Sequence, residues 1–408
     1  MQQHAIQQHA APAGHVAYLD NAANTPMLPA AIEAMLAELA VVGNASSLHA
    51  AGRRARRVVE ESREQVAAAV GASPGEVVFT SGGTESDNLA VKGTFAARRE
   101  QDPRRRRILV SAVEHHAVLD SAQWLAEHAD AEVVWLPVDR SGRLDVDALR
   151  AQIAADPASV ALVSVMWANN EVGTIQPIPE VVQLAHEHAI PVHTDAVQAV
   201  GQAPVDFAGS GVDLLTFTGH KLGGPLGVGA LLAVRGAALT PLLHGGGQER
   251  QVRSGTLDVP AVRALAVATE VAVRGRPETS ERLRALRDQL MHRVLAAVPD
   301  VVVHGDLSAQ GRLAGNLSLG LSGCDGDSLL YLLDAQGVQC STGSACQAGV
   351  PQPSHVLLAM GVREPVLGGS LRLSLGHAST QADVDAVLAV LPDAVARARG
   401  AGLSSRAS

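Results

Sequence analysis

The sequence predicts an α/β protein, in which a large domain with a mostly parallel sheet flanked by helices is followed by a smaller α+β C-terminal domain. The chain has 408 residues, which is too long for one small core. Hydrophobic residues make up 47% of the chain and aromatic residues only 2%, so we expect a core of Ala, Val and Leu side chains. Short apolar runs alternate with amphipathic helical segments from Glu76 to Val234. This alternation is typical of a parallel sheet with helices on both faces.

Seven apolar runs in the first part of the chain predict the strands of the large sheet. They are Glu76–Thr80, Arg107–Ser111, Glu132–Leu136, Val160–Met166, Ile190–Thr194, Val212–Thr218 and Gly229–Val234. Helical periodicity appears between them in Glu85–Arg99, Val118–His128 and Pro179–His188.

The order and spacing of the predicted strands and helices change near residue 270. A helical pattern runs from Val259 to Val298 and is predicted to be interrupted near Gly275–Pro277, because proline breaks the helical hydrogen-bond ladder. The later strands are predicted at Val301–His304, Asn316–Leu321, Val338–Ser341 and Ser370–Leu375, and the later helices at Gly326–Gln336, Pro353–Met360 and Ala382–Ala396. We therefore expect a flexible N-terminal tail over 1–16, a large domain over 17–270, a small domain over 271–399 and a tail over 400–408.

Charge and cysteine content argue against several classes of protein. The net charge of −9 argues against nucleic acid as a direct ligand. The three cysteines, Cys324, Cys340 and Cys346, do not form the pattern of a disulfide framework. The first residues lack the basic end and apolar run of a signal peptide, and no apolar stretch is long enough to cross a bilayer. These features predict a protein of the reducing cytoplasm.

Lys221 ends an apolar run that starts at Asp213, and glycines at 219, 223 and 224 surround it. Glycine lets the backbone approach a bulky ligand closely. A lysine in a partly dry pocket loses its proton readily, which is what an amine needs to form a Schiff base with a carbonyl cofactor. The stretch alone fits a surface lysine in a turn equally well.

Polar residues follow other predicted strands, at the edge of the sheet where ligands of α/β proteins collect. Asp195 follows the strand Ile190–Thr194 and could pair with a protonated pyridine nitrogen or cap the next helix. The segment Ser81–Asn88 joins a strand to a helix, so its amides could bind a phosphate, although a capping box explains part of the pattern. His115 follows Arg107–Ser111 and could stack on a cofactor ring and carry protons, or be merely half-exposed.

No metal site is predicted. His186 and His188 are two residues apart on a helical pattern, so their side chains face different directions instead of sharing one ion.

Two features of the C-terminal part point to chemistry. Cys346 lies among Gly, Ser, Ala and Pro residues, and an exposed cysteine on a flexible segment suits a nucleophile that carries a group away. Arg372 lies inside the apolar strand Ser370–Leu375 and needs a partner. A substrate carboxylate held by two hydrogen bonds fits this arginine, and an internal ion pair fits it equally well.

Together these segments closely resemble cysteine desulfurases, the pyridoxal-phosphate enzymes of fold type I in the aminotransferase class V group. The Gly343–Cys346 segment resembles the NifS/IscS group rather than the SufS group. The resemblance extends in order from about residue 17 to 395. It rests on the segments 18–23, 81–88, 114–119, 169–173, 193–198, 218–221, 244–250, 253–256 and 344–346.

The resemblance implies a role for each matching residue. Lys221 would be the Schiff-base lysine, Asp195 the partner of the pyridine nitrogen, His115 the stacked ring and Gln198 a donor to the phenolic oxygen. The implied phosphate ligands are Gly83, Thr84, Thr218 and His220, with Thr256 reaching over from the neighbouring subunit of a homodimer. The substrate carboxylate would be held by Asn170, which also lies beside the cofactor, and by Arg372.

The implied reaction is the conversion of L-cysteine to L-alanine with a persulfide on Cys346. The catalytic residues would be Lys221, Cys346 and His115. The sulfur would pass to an acceptor protein for iron–sulfur cluster assembly or tRNA thiolation. Selenocysteine lyase, or another pyridoxal-phosphate C–S lyase on the same scaffold, is the alternative.

Overall fold

A seven-stranded sheet forms the centre of the larger part of the protein. The computed structural model describes residues 15–308, 310–343 and 353–406. The sheet has the order β2-β8-β7-β6-β5-β3-β4. Its strands are β2 (Val77–Thr80), β3 (Arg107–Ser111), β4 (Glu132–Leu136), β5 (Val160–Ser164), β6 (Val192–Asp195), β7 (Leu214–Thr218) and β8 (Gly229–Ala233). All seven predicted strands are thus confirmed.

The sheet is mostly parallel, as predicted. Strands β4, β3, β5, β6 and β7 pair in parallel, and β8 is antiparallel to both β7 and β2. Because β5, β6 and β7 are buried along their whole length, their side chains contact helices on both faces. The carboxyl ends of these parallel strands lie at one edge, where polar residues can converge.

Helices cover this sheet and connect its strands. Their bounds are α1 (Pro29–Leu39), α2 (Ala50–Val70), α3 (Gly83–Asn88), α4 (Thr94–Gln101), α5 (His116–His128), α6 (Val146–Ala155), α7 (Ile178–His186) and α8 (Phe207–Ser210). A π-helical turn at Leu89–Gly93 joins α3 to α4, so residues 83–101 form one helical segment. Glycine with φ of +70° at position 71 ends α2 in the left-handed conformation that favours this residue.

The long helix α9 (Val259–Ala297) corrects one prediction. It passes through Gly275–Pro277 without the predicted interruption. Proline removes one hydrogen bond from the ladder, but its neighbours keep the helix in place. Before the proline, Ala264, Leu265 and Ala268 are buried in the core of the large sheet. After it, Leu283 and Leu290 are buried in a second core.

The second core belongs to the C-terminal part. Here β9 (Val301–His304), β10 (Asn316–Leu321) and β12 (Ser370–Ser374) form an antiparallel sheet with β10 in the middle. A parallel pair of short strands joins β1 (Ala17–Tyr18) to β11 (Val338–Gln339). The helices are α10 (Gly326–Asp334), α11 (His355–Ala359) and α12 (Gln381–Arg406).

Within the described residues, no helix is both long and apolar enough to cross a membrane.

Candidate active site

A cavity of about 350 Å³ lies at the carboxyl ends of β6 and β7. The structure brings nearly all of the predicted site residues of the described chain together around it, and Thr256 is the exception. Those that line it are Gly83, Thr84, His115, Asn170, Asp195, Gln198, Thr218, His220, Lys221 and Arg372. Residues from the large sheet therefore face Arg372 of the C-terminal sheet across one cavity.

Lys221 lies on the wall of this cavity, in the 3-10 turn Gly219–Lys221 that follows β7. Its Nζ donates to the carbonyl oxygens of Ala22 and Ala23, at 2.7 Å each. Burial and, second, the charge of Arg372 lower the pKa of the Lys221 amine to about 8. This lysine is not a surface residue in a turn; its position favours the cofactor-anchor alternative.

The glycines around Lys221 are required by close packing. A Cβ at Gly219 would come within 2.6 Å of the carbonyl oxygen of Pro225. The backbone at Gly224 approaches Gly219, and a Cβ at Gly224 would lie 3.1 Å from the Cα of Gly219. Larger residues at these positions would displace the turn that holds the lysine.

Asp195 is the last residue of β6 and is buried. Its Oδ1 accepts a hydrogen bond from the Val197 N–H at 2.8 Å, which is a local turn contact. Burial and, second, the charge of Asp87 raise the pKa of Asp195 to about 8. A buried carboxyl without a tight cationic partner favours binding of a cation, and a protonated ring nitrogen has this chemistry.

The N-terminus of the helical segment 83–101 lies at another wall of the cavity. Gly82 has a φ of +151°, which glycine adopts readily, and a Cβ at Gly83 would lie 3.0 Å from Val197. The Ser81 N–H donates to the Glu85 carboxylate at 2.7 Å, so a capping contact is present in part. Free amides at this helix start favour an anion.

Hydroxyl and imidazole groups complete this end of the cavity. The Thr218 Oγ1 donates to the Val228 carbonyl at 3.1 Å and lies 3.3 Å from the Nδ1 of His220. Burial and, second, the charge of Lys221 lower the pKa of His220 to about 4, so its ring is neutral at pH 7. A neutral imidazole and a hydroxyl are hydrogen-bond donors suited to a phosphate.

His115 faces the open cavity at the start of α5. Its Nδ1 accepts the Ala117 N–H at 3.1 Å and caps the helix. Desolvation and, second, the charge of Lys221 lower the pKa of His115 to about 4. Since Nδ1 is an acceptor, Nε2 bears the hydrogen of the neutral ring. The ring is therefore neutral and suited to stacking on an aromatic ligand.

Arg372 lies on β12 with its guanidinium at the cavity. It forms an ion pair with Asp20 at 2.7 Å and donates to the Asn170 carbonyl at 3.2 Å. Its Nε is buried and has no hydrogen-bond partner among the described residues. The internal ion pair, one of the two alternatives for this residue, is thus present, yet the side chain still lines the cavity beside Asn170.

The structure adds residues to the cavity wall that the sequence analysis did not assign. Asp87 and Glu171 line it, and both belong to segments that carry the family resemblance. The Ser354 hydroxyl donates to the Glu171 carboxylate at 2.5 Å, and burial raises the pKa of Glu171 to about 7. The Nε2 of His355 lies 2.9 Å from the Glu114 carbonyl. No local sequence signal distinguishes Asp87 or Glu171 from the other polar residues of their segments.

One predicted residue of the described chain does not line this cavity, and another lies outside the described residues. Thr256 is exposed and does not line it. Cys346 lies outside the described residues, and Gly343, which lines the cavity, is the last described residue before it. Within the described ranges, no group of three or more His, Cys, Asp or Glu side chains is arranged to hold a metal ion.

The fold and the site define the class of the protein. Residues 17–387 match the family described as "Aminotransferase class-V". The chain therefore belongs to the aminotransferase class-V family and, as a member of its cysteine desulfurase branch, has the fold of the pyridoxal-phosphate enzymes of fold type I.

Individual relatives show which branch of this family the chain resembles. It is 59% identical over 390 residues to the "IscS-like cysteine desulfurase" of Mycobacterium tuberculosis, covering 96% of this chain and 99% of the relative. It is 44% identical to the "Cysteine desulfurase IscS" of Methanosarcina thermophila, covering 94% and 92%. Among solved structures, a "NIFS-like protein" is similar with a TM-score of 0.85 and 33% identity, covering 94% of this chain and all of that one.

The residues of the cavity fit pyridoxal phosphate. The buried carboxyl of Asp195 can bind the protonated ring nitrogen, and the amine of Lys221, whose pKa is lowered, can react with the aldehyde. The backbone amides at the start of helix α3 can bind the phosphate. The neutral ring of His115 faces the space between them. Gln198 also lines the cavity. Its Nε2 donates one hydrogen to the Ala22 carbonyl oxygen at 2.9 Å, which also accepts from Lys221. An amide NH₂ has a second hydrogen, which can be donated to the cofactor.

Proposed function

We propose that this chain passes the sulfur of L-cysteine, as a persulfide on Cys346, to an acceptor protein for iron–sulfur cluster assembly or tRNA thiolation. The activity is that of a pyridoxal-phosphate-dependent cysteine desulfurase, and the comparisons favour no alternative such as a selenocysteine lyase. One observation supports the assignment of residues above all. Lys221, Asp195 and His115 face Arg372 around a single cavity.

Bound pyridoxal phosphate supplies an electron sink that stabilises negative charge at the substrate Cα. Asp195 would keep the ring nitrogen protonated, because this buried carboxyl has no close cationic partner among the described residues and a protonated nitrogen would supply one. Gly83, Thr84, Thr218 and His220 hold the phosphate, and Gln198 donates to the phenolic oxygen. Each of these residues lines the same cavity, so one bound cofactor can contact all of them.

Lys221 and His115 move the protons. Lys221 removes the Cα proton once its amine is free, and its lowered pKa makes the neutral base accessible near pH 7. His115 is neutral and has a free Nε2–H, so it can donate one proton and regain another. A positioned group of this kind typically contributes about 10²–10⁴-fold in rate.

Arg372 and Asn170 hold the substrate carboxylate. The unpartnered Nε of Arg372 and the Nη2 that now contacts Asp20 are the available donors. The substrate carboxylate either replaces Asp20 as the partner of the Arg372 guanidinium or binds that guanidinium together with Asp20. Either arrangement avoids leaving an arginine charge unpaired.

Cys346 accepts the sulfur. Its thiolate attacks the substrate sulfur, an S–S bond forms, and the C–S bond breaks with its electron pair going to the substrate carbon. A proton added to that carbon gives L-alanine. L-Cysteine and the Cys346 thiol thus become L-alanine and the persulfide, with atoms and electrons balanced.

The test compares two cysteine variants. Cys346→Ser is expected to bind pyridoxal phosphate and keep the yellow colour of the holoenzyme but to form no alanine from L-cysteine. Cys324→Ala is the control, because this buried thiol packs near the Val395 carbonyl in the second core and is expected to retain turnover. Alanine formation at the normal rate by Cys346→Ser would show that another group accepts the sulfur.

A homodimer with Thr256 completing the neighbouring phosphate site is part of the proposal. In support, large apolar side chains are exposed on α1 and the segment after it, notably Val42 at 86% and Leu48 at 85%. Exposed apolar groups of this size mark interaction surfaces. Mixing Thr256→Ala with Lys221→Ala chains tests the arrangement, since a hybrid dimer has one site with both native residues and should regain about a quarter to a half of the activity.

Two coarser expectations are retained as proposals. The division into a large domain over 17–270 and a small domain over 271–399 is supported by two buried clusters, one on each side of Pro277 in α9. A cytoplasmic location is supported by the small number of cysteines, because Cys324 and Cys340 are free thiols.

A further inference from the structure

A cluster of buried acids lies behind Asp195, and the mechanism above does not use it. Asp87 on α3 is 1% exposed and lines the cavity. Its Oδ1 lies 3.5 Å from the Nε2 of His193 and has no hydrogen-bond partner within the part of the chain that the structure describes. His193 precedes Asp195 by two residues on β6, so both side chains project to the same face of the sheet.

His193 is held in a defined direction. It is completely buried, its Nδ1 lies 2.9 Å from the Ser164 Oγ, and its Nε2 lies 3.1 Å from the Thr216 Oγ1. Burial lowers the pKa of His193 to about 4, so the ring is neutral. A neutral ring has one donor nitrogen and one acceptor nitrogen. The Thr216 side chain, which neighbours Nε2, also hydrogen-bonds Asp87 and on its own lowers the pKa of that carboxyl. In the tautomer with hydrogen on Nδ1, Asp87 faces a ring nitrogen that accepts a hydrogen.

The other charged groups around Asp87 are mostly acidic. Asp195 and Glu114 interact with it electrostatically, and Glu114 is completely buried with an unpartnered Oε2. Lys221 is the cation whose charge reaches Asp195. Three buried carboxyls that interact electrostatically are not all ionised, since like charges raise each other's proton affinity. In support, burial raises the pKa of Asp87 to about 8.

We propose that Asp87 is held as a neutral carboxylic acid that donates its hydrogen to the Nε2 of His193. It thereby acts as a positioning residue that leaves Asp195 as the single carboxylate opposite the cofactor's ring nitrogen. This inference rests on the proposed function, because it takes pyridoxal phosphate as the ligand of the cavity. The 3.5 Å separation closes by a small side-chain rotation, as catalytic hydrogen bonds in ligand-free sites often do.

The consequence is a directed chain of hydrogen bonds. Asp87 donates to Nε2 of His193, and the Nδ1–H of His193 donates to the Ser164 hydroxyl. No charge moves along this chain, so it adds no second negative charge beside Asp195. An ionised Asp87 would instead repel the Asp195 carboxylate and draw onto Asp195 the proton that the ring nitrogen must keep.

Two substitutions at position 87 separate these protonation states. Asp87→Asn is neutral and keeps an N–H donor of similar shape, whereas Asp87→Leu is similar in size but has no donor. We expect Asp87→Asn to bind pyridoxal phosphate within about twofold of the native affinity. We expect Asp87→Leu to bind it about tenfold more weakly, because a buried acceptor loses its partner. Thr94→Val is the control, since the buried Thr94 hydroxyl on the same helical segment is unpartnered and lies outside the cavity.

Nitrogen NMR provides the readout that a merely structural effect would not move. In the apoprotein with labelled histidine, the His193 signals should show hydrogen on Nδ1 in the native chain and in Asp87→Asn, but a changed tautomer in Asp87→Leu. In the holoenzyme with cofactor labelled at the ring nitrogen, that nitrogen should be protonated at pH 7 in the native chain and in Asp87→Asn.

The outcomes are distinguishable. If Asp87→Asn loses cofactor affinity and ring-nitrogen protonation as Asp87→Leu does, the ionised form of Asp87 is the functional one and the inference is overturned. A hydrogen on Nε2 of His193 in the native apoprotein would overturn it as well. If the native apoprotein fails to take up pyridoxal phosphate at all, the proposed function itself fails.

Discussion

The acidity of the Lys221 amine offers the sharpest quantitative prediction. Burial and the charge of Arg372 lower its pKa from 10.5 to about 8, which corresponds to ~3 kcal/mol of differential stabilisation of the neutral amine. At pH 7 such an amine is neutral in about one molecule in ten, against roughly one in 3,000 for an unperturbed lysine. The site therefore presents roughly 300-fold more free base to a carbonyl ligand.

The assay is the rate at which the apoprotein binds pyridoxal phosphate, followed by the appearance of the yellow colour as a function of pH. The rate should rise with pH, with a midpoint near pH 8 and a plateau above it. Arg372→Gln removes a like charge and should move the midpoint up, while Asp20→Asn removes an opposite charge and should move it down. A change worth about 1 kcal/mol alters the rate at pH 7 about fivefold.

This pair of variants contains its own control. Both break the same Arg372–Asp20 ion pair, so a general loosening of the site would shift both midpoints in the same direction. Opposite shifts can arise only from the charges. A native midpoint near 10, or two variants that move together, would refute the electrostatic account of Lys221.

Three further predictions concern stability and local geometry. The pKa of Asp87 is raised in the folded protein, so the folded state binds a proton that the unfolded state releases above about pH 4, and stability falls as pH rises toward 8. In urea titrations Asp87→Asn should therefore match the native stability at pH 4 and exceed it at pH 8; an equal difference at both values would contradict the raised pKa. Arg63 and Glu249 form a buried pair at 2.7 Å, and Arg63 has a second, more exposed partner in Glu60 at 3.2 Å. Glu249→Gln should cost about 2–3 kcal/mol of unfolding free energy, since it removes the charge-assisted hydrogen bonds of the buried partner. A loss below about 1 kcal/mol would show that the pair contributes little. Gly219→Ala should fold but bind pyridoxal phosphate at least about tenfold more weakly, because its Cβ would lie 2.6 Å from the Pro225 carbonyl; unchanged cofactor binding would show that the turn adapts.

Much of the seven-stranded sheet could be predicted from the sequence, because its strands are short apolar runs separated by helical periodicity. Polar residues directly after those runs identified Lys221, Asp195 and His115, since the carboxyl ends of parallel strands lie at one edge. The family resemblance then supplied Gln198 and Asn170, whose side chains carry no distinctive local signal. The local sequence pattern was therefore sufficient to predict a site residue where a reactive side chain directly follows a strand.

Long-range pairing could not be predicted in the same way. The contact of Arg372 with Asp20 joins residues 352 positions apart, and β1 pairs with β11 across a similar distance. The passage of α9 through Pro277 was also missed, because burial of the flanking turns in two cores outweighs one lost hydrogen bond. Local sequence patterns do not contain these tertiary contributions.

The buried acids show a third limit. Asp87 lies in a segment whose polar residues are explained by capping and by anion binding, so nothing in the segment marks it as an unpaired carboxyl. Only the positions of β6 and α3 place it 3.5 Å from His193. Its environment, and therefore its protonation state, follows from packing.

A single turnover tests the central claim most directly. The holoenzyme is given a limited amount of L-cysteine without a sulfur acceptor or reductant, and alanine and the masses of the cysteine-containing peptides are measured. We expect alanine equal to the cysteine consumed, and fragment ions of the cysteine-containing peptide that place one added sulfur atom on Cys346. Pyruvate and free sulfide in place of alanine, or fragment ions that place the added sulfur on Cys324 or Cys340, would contradict the account.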